Sequence, residues 1–115
     1  MTTLEKAVFN RTERLVGADG MARLQEASVI IFGLGGVGGW CAEALVRSGI
    51  RRITLVDSDC VCITNCNRQV MATTKTIGKV KVEVLRDRLL EINPKADIQA
   101  VQAIYSAEKA DSFQL

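Results

Sequence analysis

Histidine is missing altogether from these 115 residues, and proline occurs once. Without an imidazole, the four cysteines have no partner with which to complete a typical zinc site. The run Cys60, Cys62, Cys66 also lacks the paired C-x-x-C knuckle. These positions read as structural or incidental thiols, and no metal ligands are assigned among them. Neither sign of charge dominates, with 15 Lys plus Arg against 13 Asp plus Glu. An overall basic bias toward nucleic acid is therefore excluded, and any RNA contact needs a local patch. No apolar run approaches membrane-spanning length, and the amino terminus lacks the charged-then-apolar layout of a signal peptide. The expected location is the cytoplasm, without a membrane partner, and the cysteines are expected to be reduced there. Internal repeats, low-complexity linkers and the G-x-x-x-x-G-K-[ST] signature are absent as well, which excludes a P-loop.

What remains is an ordinary globular composition, 48% hydrophobic and 24% charged, long enough for one domain with a modest core. Its organising stretch runs from Ile30 to Trp40. Ser28 to Phe32 is short, uninterrupted and rich in branched residues, as a strand buried on both faces should be. Gly33, Gly35 and Gly38 follow with the spacing G-x-G-x-x-G, and Gly36 adds a further glycine. One glycine makes the tight turn, one admits a phosphate to the backbone, and one lets helix and strand pack closely. The helix start beyond them directs free N–H groups and a positive dipole end at an anion.

Upstream, residues 1–27 read as a helical lead-in. Asn10 with Glu13 resembles a capping box, and Asp19 is placed to cap a second short helix through about Glu26. Arg11 and Arg14 sit one turn apart on what reads as a solvated face. After the glycines, Val37, Trp40, Cys41, Ala44, Leu45 and Ser48 recur at helical spacing, predicting a buried stripe that includes Trp40 and Cys41, with Gly49 as its stop. Ile53-Thr54-Leu55-Val56 is a second strand, so a right-handed βαβ unit with parallel strands is expected. Asp57 ends that strand about 20 residues past the glycines, where a dinucleotide-type site holds ribose hydroxyls. Cys60 to Arg68 has no clear period. A long helix is predicted from near Lys79, with Val82, Leu85, Leu89 and Ile92 buried and an end before Asn93-Pro94. Lys79 and Lys81 then oppose the macrodipole in its first turn, which suggests a compensating anion. Ile98 to Ile104 alternates as a third strand.

The fold class is thus α/β, a Rossmann-like βαβαβ half of a doubly wound, mostly parallel sheet behind a helical lead-in. Residues 28–115 form the amino-terminal half of a nucleotide-binding domain. Such a domain needs a second half to cover its sheet, so the chain reads as an amino-terminal fragment or a truncated product, prone to associate through an open edge and face. On the carboxyl-end side of the sheet the candidates gather: the glycines, Asp57, Asp59, Asn65, Arg68 and Lys81. Arg68 and Lys81 add two cations to a glycine cradle, which suits a triphosphate, most simply ATP. An NAD-dependent oxidoreductase is the weakest reading because it gives Asn65, Arg68 and Lys81 nothing to do.

In family order and spacing, Gly33-Leu34-Gly35-Gly36-Val37-Gly38, Asp57-Ser58-Asp59, Asn65-Cys66-Asn67-Arg68-Gln69, Gly78-Lys79-Val80-Lys81 and Asn93-Pro94 closely resemble the superfamily of ubiquitin-activating enzymes and their bacterial ThiF-type relatives, which adenylate carboxylates. Arg11-Thr12-Glu13-Arg14-Leu15-Val16-Gly17 and Val61-Cys62-Ile63-Thr64-Asn65 look most like the tRNA threonylcarbamoyladenosine dehydratase branch. Enzymes that activate ubiquitin-like sulfur carriers tend instead to show S-N-L-x-R-Q in the second stretch. The chain departs from the family in Met71, where a histidine is usual, and in Val80, where a proline is usual.

The resemblance implies ATP with Mg2+ as cofactors. Asp57 would be on the ribose and Asp59 near metal or nucleotide, with Asn65, Arg68, Gln69 and Lys81 around the phosphates. It also implies Arg11 as an arginine finger reaching across a homodimer, and tRNA carrying threonylcarbamoyladenosine as substrate. The family places a further metal-contacting Asp and the rest of the substrate half beyond Leu115, so the isolated chain is expected to be inactive. Two alternatives stand beside this: an adenylyltransferase for a sulfur-carrier protein, and a non-catalytic nucleotide-binding or dimerisation remnant.

Overall fold

A computed structural model describes residues 1–113. Strand β1 (Ser28–Phe32) leads through α3 (Gly38–Ser48) to β2 (Arg52–Val56), and α4 (Lys81–Ile92) leads on to β3 (Asp97–Val101). Two helices precede them, α1 (Thr3–Val8) and α2 (Asn10–Glu26), and short 3₁₀ turns occupy Ile63–Asn67 and Ala107–Phe113. The sheet has the order β1-β2-β3 with both pairings parallel. Register places Ile30 beside Thr54 and Phe32 beside Val56, so the carboxyl ends of β1 and β2 finish level with each other. The expected α/β architecture is present. The third strand is shorter than its alternation suggested, stopping at Val101 rather than Ile104.

Because strand side chains alternate between faces, Val29, Ile31, Ile53, Leu55, Ile98 and Ala100 share one side. They pack with Ala42 and Val46 of α3 and Val82, Leu85 and Leu89 of α4 into the main core. The other side carries Ile30, Phe32, Val56 and Val101 and is covered near its carboxyl end. There Phe32 meets Tyr105 and Phe113 at ring-centroid distances of 4.5 and 5.3 Å. β1 is half-buried rather than buried on both faces, and it is an edge strand of the three-stranded sheet among the described residues, paired with β2 alone.

The helical stripe of α3 is rotated from the sequence reading. Gly39, Ala42, Glu43 and Val46 are buried, whereas Val37, Trp40, Cys41, Ala44 and Ser48 are exposed and Leu45 is intermediate. Trp40 and Cys41 are thus not core residues. The physical reason is Gly39: a β-carbon there would lie 2.9 Å from both Val70 Cγ1 and Met71 Cε. The smallest residue, not the largest, marks the packed face. In α4 the reading holds for Val82, Leu85 and Leu89. The helix begins at Lys81, with Val80 as its N-cap, so Lys79 falls outside the first turn.

The lead-in differs in its caps. The capping box is Thr2 with Glu5, in which the Glu5 carboxylate accepts from Thr2 N–H at 3.0 Å and Glu5 N–H donates to the Thr2 hydroxyl at 3.2 Å. Asn10 opens α2 without a side-chain cap. The helix breaks at Gly17, whose φ of 80° and ψ of 169° lie outside the helical region, so it is this glycine, not an Asp19 cap, that divides the segment. Glu5 is fully buried and ties α1 to the body: its carboxylate accepts from Asn93 Nδ2 at 3.2 Å and pairs with Arg51 at 3.5 Å. Burial pushes the Glu5 carboxyl up, but hydrogen bonds from Thr2 and Asn93 and the Arg51 charge outweigh it and leave the group below its ordinary value. Glu43 joins α3 to α4 by accepting from Arg88, and within α3 it also accepts from Arg47 at 3.3 Å. The Arg88 hydrogen bond is the main cause of its lowered pKa.

Candidate functional site

The three glycines of the turn meet different physical demands. Gly33 has φ 88°, a left-handed conformation that disfavours a side chain. Gly38 has no room, since a β-carbon there would lie 1.9 Å from the Gly33 carbonyl oxygen. Gly35 has neither constraint: its φ is not left-handed and an added β-carbon would meet nothing within 4 Å. That leaves open space over its backbone, as close approach by a ligand requires. Behind it, α3 starts with no side-chain cap on its first turn, so orphan N–H groups and the positive end of the dipole face this space.

Asp57 binds the turn to the sheet. Its Oδ2 accepts from Leu34 N–H at 2.7 Å and its Oδ1 from Asp59 N–H at 2.8 Å. A carboxylate has about four acceptor positions, so both oxygens retain capacity toward hydroxyl groups. Asp59 in turn accepts, through its carbonyl, from Lys81 N–H at 3.1 Å. One hydrogen-bonded series thus runs from the glycine turn through Asp57 and Asp59 to the start of α4. The cross-links Val61 N–H to Lys79 C=O and Gly78 N–H to Val61 C=O, both 2.8 Å, hold this segment in place. Beside Asp57 and Asp59 lies a cavity of about 170 Å³ walled by Phe32, Gly33, Ile104 and Tyr105.

Lys81 is 5% exposed, and among the described residues no carboxylate lies within ion-pair distance of it. A cation at the first position of a helix is opposed by the dipole, and an anion bound there would relieve that opposition. Arg68 supplies a second cation. Its side chain crosses Gly36, near enough that a β-carbon there would touch it at 3.8 Å. Its Nη1 donates to Thr64 C=O at 3.1 Å and Asn67 Oδ1 at 2.9 Å.

The other expected site residues have different surroundings. Asn65 is buried and accepts from Cys62 N–H at 2.8 Å, which closes the 3₁₀ turn. Gln69 is buried, and its Oε1 has no partner among the described residues. Arg11 is exposed on α2, and among the described residues no hydrogen bond or ion pair joins it to this crevice. Asp59 is an exposed carboxylate at the crevice mouth. It suits one position on a Mg2+ ion, which takes one or two carboxylates with phosphates and water. Three of the cysteines are exposed and Cys66 is intermediate. No group of three or more Cys, Asp or Glu among the described residues could hold a metal ion. Trp40, read as core, instead donates its indole N–H to Arg68 C=O at 2.9 Å. The only sequence signal for that contact was its place two residues past Gly38. No helix among the described residues is long and apolar enough to cross a membrane.

Comparison with known proteins adds four findings. The ThiF family model matches residues 9–114. The chain is 43% identical over 105 residues to the tRNA threonylcarbamoyladenosine dehydratase of Bacillus subtilis, covering 91% of this chain and 41% of that protein. It is 37% identical over 95 residues to the sulfur carrier protein adenylyltransferase of Thermus thermophilus, covering 83% and 35% respectively. Among solved structures, the E. coli tRNA N6-threonylcarbamoyladenosine dehydratase TcdA in complex with ATP superposes with TM-score 0.96 at 36% identity, over 98% of this chain and 46% of that one. The chain therefore spans about two fifths of the length of the curated relatives it matches.

Proposed function

Because the chain belongs to the ThiF family, we propose that it forms the nucleotide-binding half of an ATP-dependent enzyme that adenylates a carboxylate, and that its substrate is tRNA bearing threonylcarbamoyladenosine. The observation that carries the ATP site is the open space at Gly35, with an uncapped helix behind it and Arg68 across Gly36, while Lys81 begins α4 at the end of the hydrogen-bonded series from the turn. ATP would lie with its ribose at Asp57, its phosphates between the first turn of α3, Arg68 and Lys81, and Asp59 turned toward a bound Mg2+. The similarity to a solved dehydratase in complex with ATP supports that placement.

The reaction is attack by the threonylcarbamoyl carboxylate on the α-phosphorus, with pyrophosphate leaving. The acyl-adenylate then closes intramolecularly, releasing AMP and giving the cyclic base. Negative charge moves along the phosphate oxygens in the first step. Groups already oriented toward those oxygens lower its barrier without reorganising, so backbone N–H donors, Arg68 and Lys81 act through electrostatic preorganisation. Arg11, exposed on α2, would reach a triphosphate from the second copy in a homodimer.

Arg68→Ala in a complete enzyme, of which this chain is the nucleotide-binding half, tests the assignment: removal of one such donor should lower the adenylation rate about 100- to 1000-fold. Normal turnover by that variant would take Arg68 out of the site. Pyrophosphate release identifies the substrate. Stimulation by tRNA bearing threonylcarbamoyladenosine supports the dehydratase reading, and stimulation only by a ubiquitin-like sulfur carrier replaces it with the adenylyltransferase one. ATP binding without adenylation on either substrate would leave a non-catalytic nucleotide-binding module.

A further inference from the structure

We propose that Trp40 is a positioning residue for Arg68 and, through it, for the nucleotide phosphates; the inference rests on the ATP site described above. Trp40 is half-exposed although it is the only tryptophan of the chain. Its contribution is directional, for the indole N–H donates to the Arg68 carbonyl at 2.9 Å. Arg68 needs such a restraint. It follows the 3₁₀ turn with φ −149° and ψ −14°, outside any regular element. Its own N–H is bonded at 3.2 Å, to Asn65 C=O.

A second contact lies one residue away. Gly39 leaves no room for a β-carbon against Val70 and Met71. The first turn of α3 therefore grips the segment 68–71 at two adjacent points: a hydrogen bond at Trp40 and a steric fit at Gly39. The consequence concerns the cation more than the fold. The Arg68 guanidinium rests on Thr64 and Asn67 and must leave those acceptors to meet a phosphate. With its main chain fixed to the same helix turn that offers the N–H donors, the side chain swings about a fixed point. Donors and cation then converge on one anion.

Trp40→Phe keeps a ring and removes the N–H. We expect ATP affinity, measured by isothermal titration, to weaken about three- to tenfold, the scale of one neutral hydrogen bond. In an Arg68→Ala background the same substitution should have no further effect, because the residue acts only through Arg68. Trp40→His, which restores a ring N–H donor, should recover part of the loss. Equal weakening in both backgrounds, or no weakening in either, overturns the proposal. The two readings fail separately. If Arg68→Ala leaves ATP affinity unchanged, the assignment of Arg68 to the ATP site is wrong. If Arg68→Ala weakens binding while Trp40→Phe does not, only the role of Trp40 is wrong.

Discussion

Replacing Lys81 by methionine should move stability and ligand binding in opposite directions. Methionine keeps most of the apolar stem of lysine, so the packing of this residue, which is 5% exposed, is largely retained. What disappears is a charge at the first position of α4 without a carboxylate partner among the described residues. The dipole term is about 0.3–1 kcal/mol against the wild type. For a domain of this size, about 1 kcal/mol corresponds to a rise of roughly 4 °C in Tm. The ligand-free variant should therefore melt a few degrees higher.

ATP binding should weaken because a charge-assisted contact worth about 1.5–3 kcal/mol is gone, which corresponds to roughly 10- to 150-fold in Kd. Differential scanning calorimetry without nucleotide and isothermal titration with ATP read the two effects on one sample. A lower Tm with unchanged ATP affinity would refute the reasoning and make Lys81 a structural residue.

Gly38→Ala places a β-carbon 1.9 Å from the Gly33 carbonyl oxygen, a backbone atom that cannot turn aside. We expect destabilisation of about 1–3 kcal/mol or more in urea unfolding, together with loss of ATP binding as the turn shifts; an unperturbed variant would show that helix and strand can separate freely. Stability should also fall in acid. Glu5 and Glu43 both have lowered folded pKa values, so their contribution is complete above the unfolded value of about 4.3 and is lost as pH falls through the folded ones. Thermal melts from pH 7 to pH 3 should show this decline, and the decline should flatten in the double variant Glu5→Gln, Glu43→Gln; an identical profile would remove these carboxylates as its cause.

Local chemistry made much of this protein legible in its sequence. The apolar run Ser28–Phe32, the glycines, and Asp57 at the end of Ile53–Val56 specify a strand, a turn and an acid at one edge. Each depends on residues only a few positions apart. The buried line of α4 was legible for the same reason, since Val82, Leu85 and Leu89 lie on one face by helical period alone. The face of α3 was not. Its apolar residues Val37, Trp40 and Leu45 mimic a stripe, and the decision came from Val70 and Met71, some thirty positions away.

The sequence by itself therefore determined the element types, the parallel βαβ unit and the glycine turn with Asp57 at one sheet edge, because short-range periodicity and glycine sterics suffice for these. Tertiary structure decided which helix face is buried, that Glu5 reaches across 88 positions to Asn93, and that Trp40 holds Arg68. Those outcomes depend on which surfaces meet, and the contacts that select them join residues that no local pattern relates.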